Sequence, residues 1–122
     1  MRLQDRVAVI TGAAGGIGEA IAKAFANEGA SLIAADINLE GAVGTVDAIS
    51  RCGGEAVSFE LDITKRVDCQ KVVDIAVKEF KRLDILVNAA GVGSFGHFNE
   101  ITPEEFDRVM RINLNGTFYC AQ

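Results

Sequence analysis

Apolar positions along the chain fall alternately into short continuous runs and longer periodic stretches. Val7-Ala8-Val9-Ile10 and Leu32-Ile33-Ala34-Ala35 are continuous runs, each predicting a strand. Between them Ile17, Ala20, Ile21, Ala24 and Phe25 recur at i, i+3, i+4, i+7 and i+8, predicting a helix with one apolar face that Gly29 ends. A second helical stretch covers residues 39–52 and stops at Gly53-Gly54. Residues 56–61 alternate, Val57, Phe59 and Leu61 against Ser58 and Glu60, as a strand with one wet side does. A third helix over residues 65–81, with Val73, Ala76, Val77 and Phe80 on one face, leads to Ile85-Leu86-Val87. That run is apolar throughout, which predicts a strand covered on both faces.

The order is therefore βαβαβαβ, which means parallel strands joined by right-handed helical crossovers. A wet third strand and a dry fourth fit an α/β, Rossmann-type, doubly wound parallel sheet of spatial order 3-2-1-4, in three layers αβα.

A last helix opens with Thr102 as N-cap, Pro103 at the first helical position and Glu105 placed to reach back in a capping box. Capping and the helix dipole explain Glu104, Glu105 and Asp107 better than an acid/base pair does. The apolar stripe of this helix reads Phe106, Val109, Met110, Asn113, Leu114, Thr117 and Phe118. Asn113 interrupts it. An amide on a core-facing stripe must be satisfied internally or cost about 1–3 kcal/mol, so Asn113 is either a structural anchor or part of a site. Asn88 poses the same choice, and its place at the carboxyl end of the fourth strand favours the site.

Candidate chemistry begins with T-G-A-A-G-G-I-G at residues 11–18, between the first strand and the first helix. Gly12 suits the positive φ of a tight strand-to-helix turn, Gly16 lets backbone approach a pyrophosphate, and Gly18 lets helix and strand pack closely. The free N–H groups near Gly16, Ile17 and Gly18 would face phosphates, helped by the helix dipole. Loops collect glycine for ordinary reasons, so the triplet alone is weak. Its context strengthens it: the second strand finishes in Asp36, eighteen residues beyond Gly18, where a ribose 2′-hydroxyl is expected. A carboxylate accepts a hydrogen bond from that hydroxyl and repels a 2′-phosphate. Ala14, Gly15, Ile37 and Asn38 add no cation, so NAD is favoured over NADP. The plain alternative is that Asp36 ends a strand and caps the next helix.

A chain of 122 residues suits one domain, and a formal charge of −5 with no basic stripe argues against nucleic-acid binding. Residues 1–6 lack the apolar region of a signal peptide, and no window approaches the roughly 18 apolar residues of a membrane span. A cytoplasmic protein is expected. Cys52, Cys69 and Cys120 lie far apart in sequence without C-x-x-C or Cys/His spacing, so they read as reduced thiols with no metal site. His97 is the only histidine. Ser94 and His97 share a loop, and a plain loop accounts for them better than a nucleophile and its base.

With these residues in place the chain resembles the amino-terminal half of a short-chain dehydrogenase/reductase. The resemblance rests on four segments in the family's order: residues 11–18, Leu61-Asp62-Ile63-Thr64, Val87-Asn88-Ala89-Ala90-Gly91 and Asn113-Leu114-Asn115-Gly116. It implies that Asp62 hydrogen-bonds the adenine amine and that Ile63 lies against the adenine. It implies that Asn88, Ala89 and Ala90 line the nicotinamide ribose, and that Asn113 is the family's catalytic asparagine, holding a water in a proton relay. Ala89 departs from a second asparagine common in the family. The family's catalytic serine, tyrosine and lysine come after this asparagine, and Tyr119, six residues on, is too near to be that tyrosine.

The expected activity is therefore NAD-dependent hydride transfer on a small-molecule alcohol/ketone pair. Residues 1–122 would form the dinucleotide-binding half, truncated at its carboxyl end and inactive alone. Family members are commonly dimers or tetramers through the last helix, so a homo-oligomer is expected. Two other functions remain open: a non-catalytic NAD-binding module, and another Rossmann-type binder such as a methyltransferase using S-adenosylmethionine.

Overall fold

The predicted runs become four strands of one parallel sheet in the computed structural model, which describes residues 1–122. They are β1 (Val7–Thr11), β2 (Ser31–Asp36), β3 (Glu55–Glu60) and β4 (Ile85–Asn88), in spatial order β3-β2-β1-β4. Register places Thr11 beside Ala35 on one side and Asn88 on the other. The carboxyl ends of the strands therefore form one edge, where the glycine turn and Asp36 also lie.

Period-two alternation within β1 and β2 feeds two cores. Ala8, Ile10, Leu32 and Ala34 face Ala22 of α1 (Gly16–Asn27) and Ile49 of α2 (Leu39–Arg51). Val7, Val9, Ile33 and Ala35 face Cys69, Val72 and Ala76 of α3 (Arg66–Phe80) and Cys120 of α5 (Gly116–Ala121). Helices thus cover both faces, with α4 (Pro103–Met110) joined to α5 through a π-turn at Arg111–Asn115. No helix is long and apolar enough to cross a membrane.

Helix faces differ from the sequence pattern in instructive ways. In α1 the sheet-facing residues are Gly18 and Ala22, with Ile21, Phe25 and Ala26 packed beside them, whereas Ile17 is 75% exposed and Ala20 and Ala24 face solvent. A Cβ on Gly18 would lie only 2.0 Å from the Gly12 carbonyl oxygen. The helix therefore docks through a residue that carries no hydrophobic signal, and its buried face turns by one position. In α3, Cys69 and Val72 are buried and Val77 is 49% exposed. The β4 run is half-buried rather than dry, because the strand lies at a sheet edge.

The last helix departs most. Phe106, Met110, Leu114 and Phe118 face solvent, while Gly116 and Cys120 are buried and Ile112 and Tyr119 pack on the core. The exposure begins at Phe106 and Met110, before the π-turn, so the predicted stripe is out of phase from the first turns of α4. Thr102 caps as expected, its hydroxyl accepting from the Glu105 N–H at 3.2 Å. The Glu105 carboxylate does not return to close the box. It pairs with Arg108 at 2.8 Å, because the guanidinium one turn on offers a charged donor.

The two cysteines that are distant in sequence meet in space, Cys120 Sγ lying 3.5 Å from Cys69 Sγ where α5 crosses α3. Burial pushes both thiols up, Cys120 to about 12.

Candidate functional site

The glycine turn has the backbone its sequence requires. Gly12 and Gly16 take φ of 69° and 55°, in the left-handed region open to glycine. A Cβ on Gly12 would fall 2.7 Å from the Ala90 nitrogen, so the first glycine also lets the end of β4 approach the turn. At Gly15 and Gly16 nothing lies within 4 Å of where a Cβ would stand. The backbone there is open, and α1 starts at Gly16 with the unpaired first-turn amides any helix has.

Asp36 closes the other side of the turn. Its Oδ2 accepts from the Ala14 N–H at 3.0 Å and its Oδ1 from the Asn38 N–H at 2.9 Å. The cap of α2 is Asn38, which accepts from the Gly41 N–H, so Asp36 does not cap the helix. A carboxylate offers about four acceptor positions, and two backbone amides leave capacity for a further donor.

Turn, strand ends and last helix enclose a cleft of about 590 Å³. Of the residues singled out in sequence, Gly12, Gly15, Asp36, Asp62, Ile63, Ala89 and Ala90 line it. Gly16, Ile17, Gly18, Asn88 and Asn113 do not, although they lie on the elements that frame it. Thr11 links the strand ends: its hydroxyl accepts from the Ala90 N–H at 3.1 Å and donates to the Val87 carbonyl at 3.4 Å.

Asp62 stands on the loop after β3, where its Oδ1 accepts from the Thr64 hydroxyl at 2.6 Å and the Thr64 N–H at 3.0 Å. The Thr64 hydroxyl is the main cause that holds this carboxyl below the usual range, with Lys65 and Arg111 adding positive field. Ile63 is 7% exposed and packs against Gly116, where a Cβ would come within 2.5 Å of its Cδ1. It therefore serves as core and as cleft wall together.

Asn113 sits in the π-turn and is solvent-exposed, not core-facing. Its amide pairs with the Val92 backbone, Val92 N–H to Oδ1 and Nδ2 to the Val92 carbonyl, both at 2.8 Å. Val92 lines the cleft, so the pair ties the last helix to its wall. The loop that follows contains Ser94, which lies close enough to Glu105 to help lower its carboxyl. With Arg108 as first cause and Ser94 as second, the Glu105 carboxyl falls to about 2 and stays ionised.

Three cleft-associated residues carried no motif. Arg108 and Arg111 line the wall from the last helix, where the sequence shows only solvated cations. Thr45 lies behind the turn, 2% exposed, and donates to the Ala13 carbonyl at 2.7 Å. Its signal was a hydroxyl on the apolar face formed by Ala42 and Ile49.

The cleft fits a dinucleotide. Its size lies in the range of small-molecule sites, an open glycine backbone faces it at a helix start, and a carboxylate with spare acceptor capacity stands at the second strand.

Comparison with known proteins agrees with this fold. The family model described as short chain dehydrogenase matches residues 6–122. Elsinochrome reductase 1 of Elsinoe fawcettii is 44% identical over 122 residues, covering 99% of this chain and 46% of that protein. D-threitol dehydrogenase of Mycolicibacterium smegmatis is 40% identical over 121 residues, covering 99% of this chain and 46% of that protein. Among solved structures, a hydroxysteroid dehydrogenase from Escherichia coli superposes with a TM-score of 0.93 at 38% identity, over 99% of this chain and 51% of that one. The chain spans about half the length of the curated relatives it matches. On its fold, its cleft and these likenesses, the chain belongs to the short-chain dehydrogenase family of oxidoreductases.

Proposed function

We propose that residues 1–122 form the dinucleotide-binding half of an NAD-dependent oxidoreductase acting on a small-molecule alcohol/ketone pair. The observation that carries this reading is the shared cleft of the open glycine turn and Asp36. The N–H groups about Gly15, Gly16 and Ile17 would hold the pyrophosphate, with Gly12 and Gly18 setting the turn. Asp36 would accept from the adenosine ribose, and Asp62 and Ile63 would receive the adenine. Asn88, Ala89 and Ala90 would border the nicotinamide ribose.

When bound, the nicotinamide exchanges hydride with a carbinol or carbonyl carbon. Asn113 would hold a water at its remaining amide valences, and that water would belong to a proton relay with residues outside this half. The 122-residue chain alone would bind NADH without turning over substrate.

NAD is preferred because the cations lining the cleft, Arg108 and Arg111, come from the last helix, while Asp36 is flanked by Ile37 and tied to Ala14. The exposed row Phe106, Met110, Leu114 and Phe118 supplies a self-association face and supports a homo-oligomer. Relatives named for elsinochrome, threitol and hydroxysteroids match this half at 44%, 40% and 38% identity, so it carries no mark of one substrate.

Titrating the chain with NADH by nicotinamide fluorescence, against S-adenosylmethionine as competitor, tests the reading. Saturable NADH binding that S-adenosylmethionine does not displace is expected. Displacement would favour the methyltransferase alternative, which family membership already disfavours. NADH binding without turnover in the full-length protein, across alcohol and ketone substrates, would favour a non-catalytic module.

A further inference from the structure

Helix α2 lies directly behind the glycine turn and meets it through two positions one helical turn apart. At Gly41 a Cβ would stand 2.6 Å from the Ala14 Cβ, so only glycine lets the helix come so close. At Thr45 the buried hydroxyl donates to the Ala13 carbonyl at 2.7 Å. That hydroxyl has one proton, and inside a helix its usual acceptor is the carbonyl four residues back. Here that carbonyl, on Gly41, is 3.3 Å away, and the turn has the shorter bond.

The peptide unit joining Ala13 to Ala14 is planar, its carbonyl and N–H pointing in opposite directions. Its oxygen is held by Thr45 and its N–H by the Asp36 carboxylate at 3.0 Å. The Ala13 N–H adds a third tie, to the Ala35 carbonyl at 3.1 Å. Rotating this unit would break the Thr45 and Asp36 bonds together. The turn expected to hold the pyrophosphate is thus tied on both sides of one peptide with Thr45 as its fixed end, while the Asp36 carboxylate keeps its own bond to the Asn38 N–H.

We infer that Thr45 is a positioning residue for phosphate binding. It touches no ligand. By holding the Ala13 carbonyl inward it keeps the turn in the shape that presents the first-turn amides of α1 to a pyrophosphate. This inference rests on the assignment of the glycine turn as a pyrophosphate site.

The test compares wild type, Thr45→Val and Thr45→Ser in the full chain, by NADH titration and by competition with ADP-ribose and with adenosine. Valine keeps the shape and removes the donor; serine keeps the donor. Thr45→Val is expected to weaken NADH and ADP-ribose by about tenfold, with adenosine, which has no phosphate, changed by less than about twofold. Thr45→Ser is expected to stay within about twofold of wild type for all three. Equal NADH affinity in Thr45→Val and wild type overturns the inference, as does a parallel loss of adenosine binding. Failure of wild type to bind NADH overturns the pyrophosphate assignment itself, and the inference with it. Should Thr45→Val not fold, Gly41→Ala presses on the same turn and must show the same selective loss of ADP-ribose.

Discussion

Asn113 and the backbone of Val92 are joined in both directions, amide to N–H and amide to carbonyl, each bond 2.8 Å long. One donor and one acceptor valence of the amide remain free, so the same side chain can anchor the cleft wall and still hold a water. Asn113 lies exposed in the π-turn and reaches the loop after β4. In the full-length protein, Asn113→Ala is expected to lower kcat by about a hundredfold or more, the scale of a lost proton-transfer group, with a much smaller change in NADH affinity. An unchanged kcat would contradict the proposed role.

The row Phe106, Met110, Leu114 and Phe118 is expected to be covered by a second copy. Replacing Leu114 and Phe118 together by lysine places two charges on that face. Analytical ultracentrifugation should find wild type as a dimer or larger and the double variant as a monomer. A monomeric wild type at micromolar concentration would sink the self-association proposal.

Asp84 ties the start of β1 to the start of β4, accepting from the Val7 N–H at 2.9 Å and from Arg82 at 2.8 Å. The Arg82 hydrogen bond, then the Val7 N–H, hold its carboxyl at about 2 instead of the ordinary 3.8. A folded value below the unfolded one contributes stability that is present above the ordinary value and lost as pH falls toward about 2. Asp84→Asn is therefore expected to melt below wild type near neutral pH, with the gap closing as the solution is acidified. Melting curves that stay equally separated down to about pH 2 would count against this account.

Burial makes Cys69 and Cys120 unreactive and leaves Cys52 as the exposed thiol. Native protein treated with a thiol-disulfide reagent should release one fast equivalent, which Cys52→Ser removes. Two or three fast equivalents would show that the contact between α3 and α5 opens readily.

Strand order was legible because strand identity depends on continuous or alternating apolar runs, which Val7-Ala8-Val9-Ile10 and its partners display directly. The glycine turn was legible because positive φ restricts Gly12 and Gly16 to glycine, and Asp36 because it ends an apolar run. Helix faces were less so. Gly116 is a contact point with no side chain to announce it, and the row Phe106, Met110, Leu114 and Phe118 is exposed from before the π-turn onward although its period suited burial. Spatial pairings between distant segments, such as Cys69 with Cys120 and Thr45 with Ala13, depend on how helices pack and leave no local pattern. For the same reason Arg108 and Arg111 read only as surface charge until the last helix was seen to wall the cleft.

The central claim is that the cleft takes NAD and that Asp36 makes the choice. Parallel titration of the chain with NADH and NADPH tests it most directly. Placing a 2′-phosphate against a carboxylate costs on the order of 1–3 kcal/mol, so NADH is expected to bind at least about tenfold more tightly, and Asp36→Ala to narrow that ratio. Equal affinities, or tighter NADPH binding, would contradict the account.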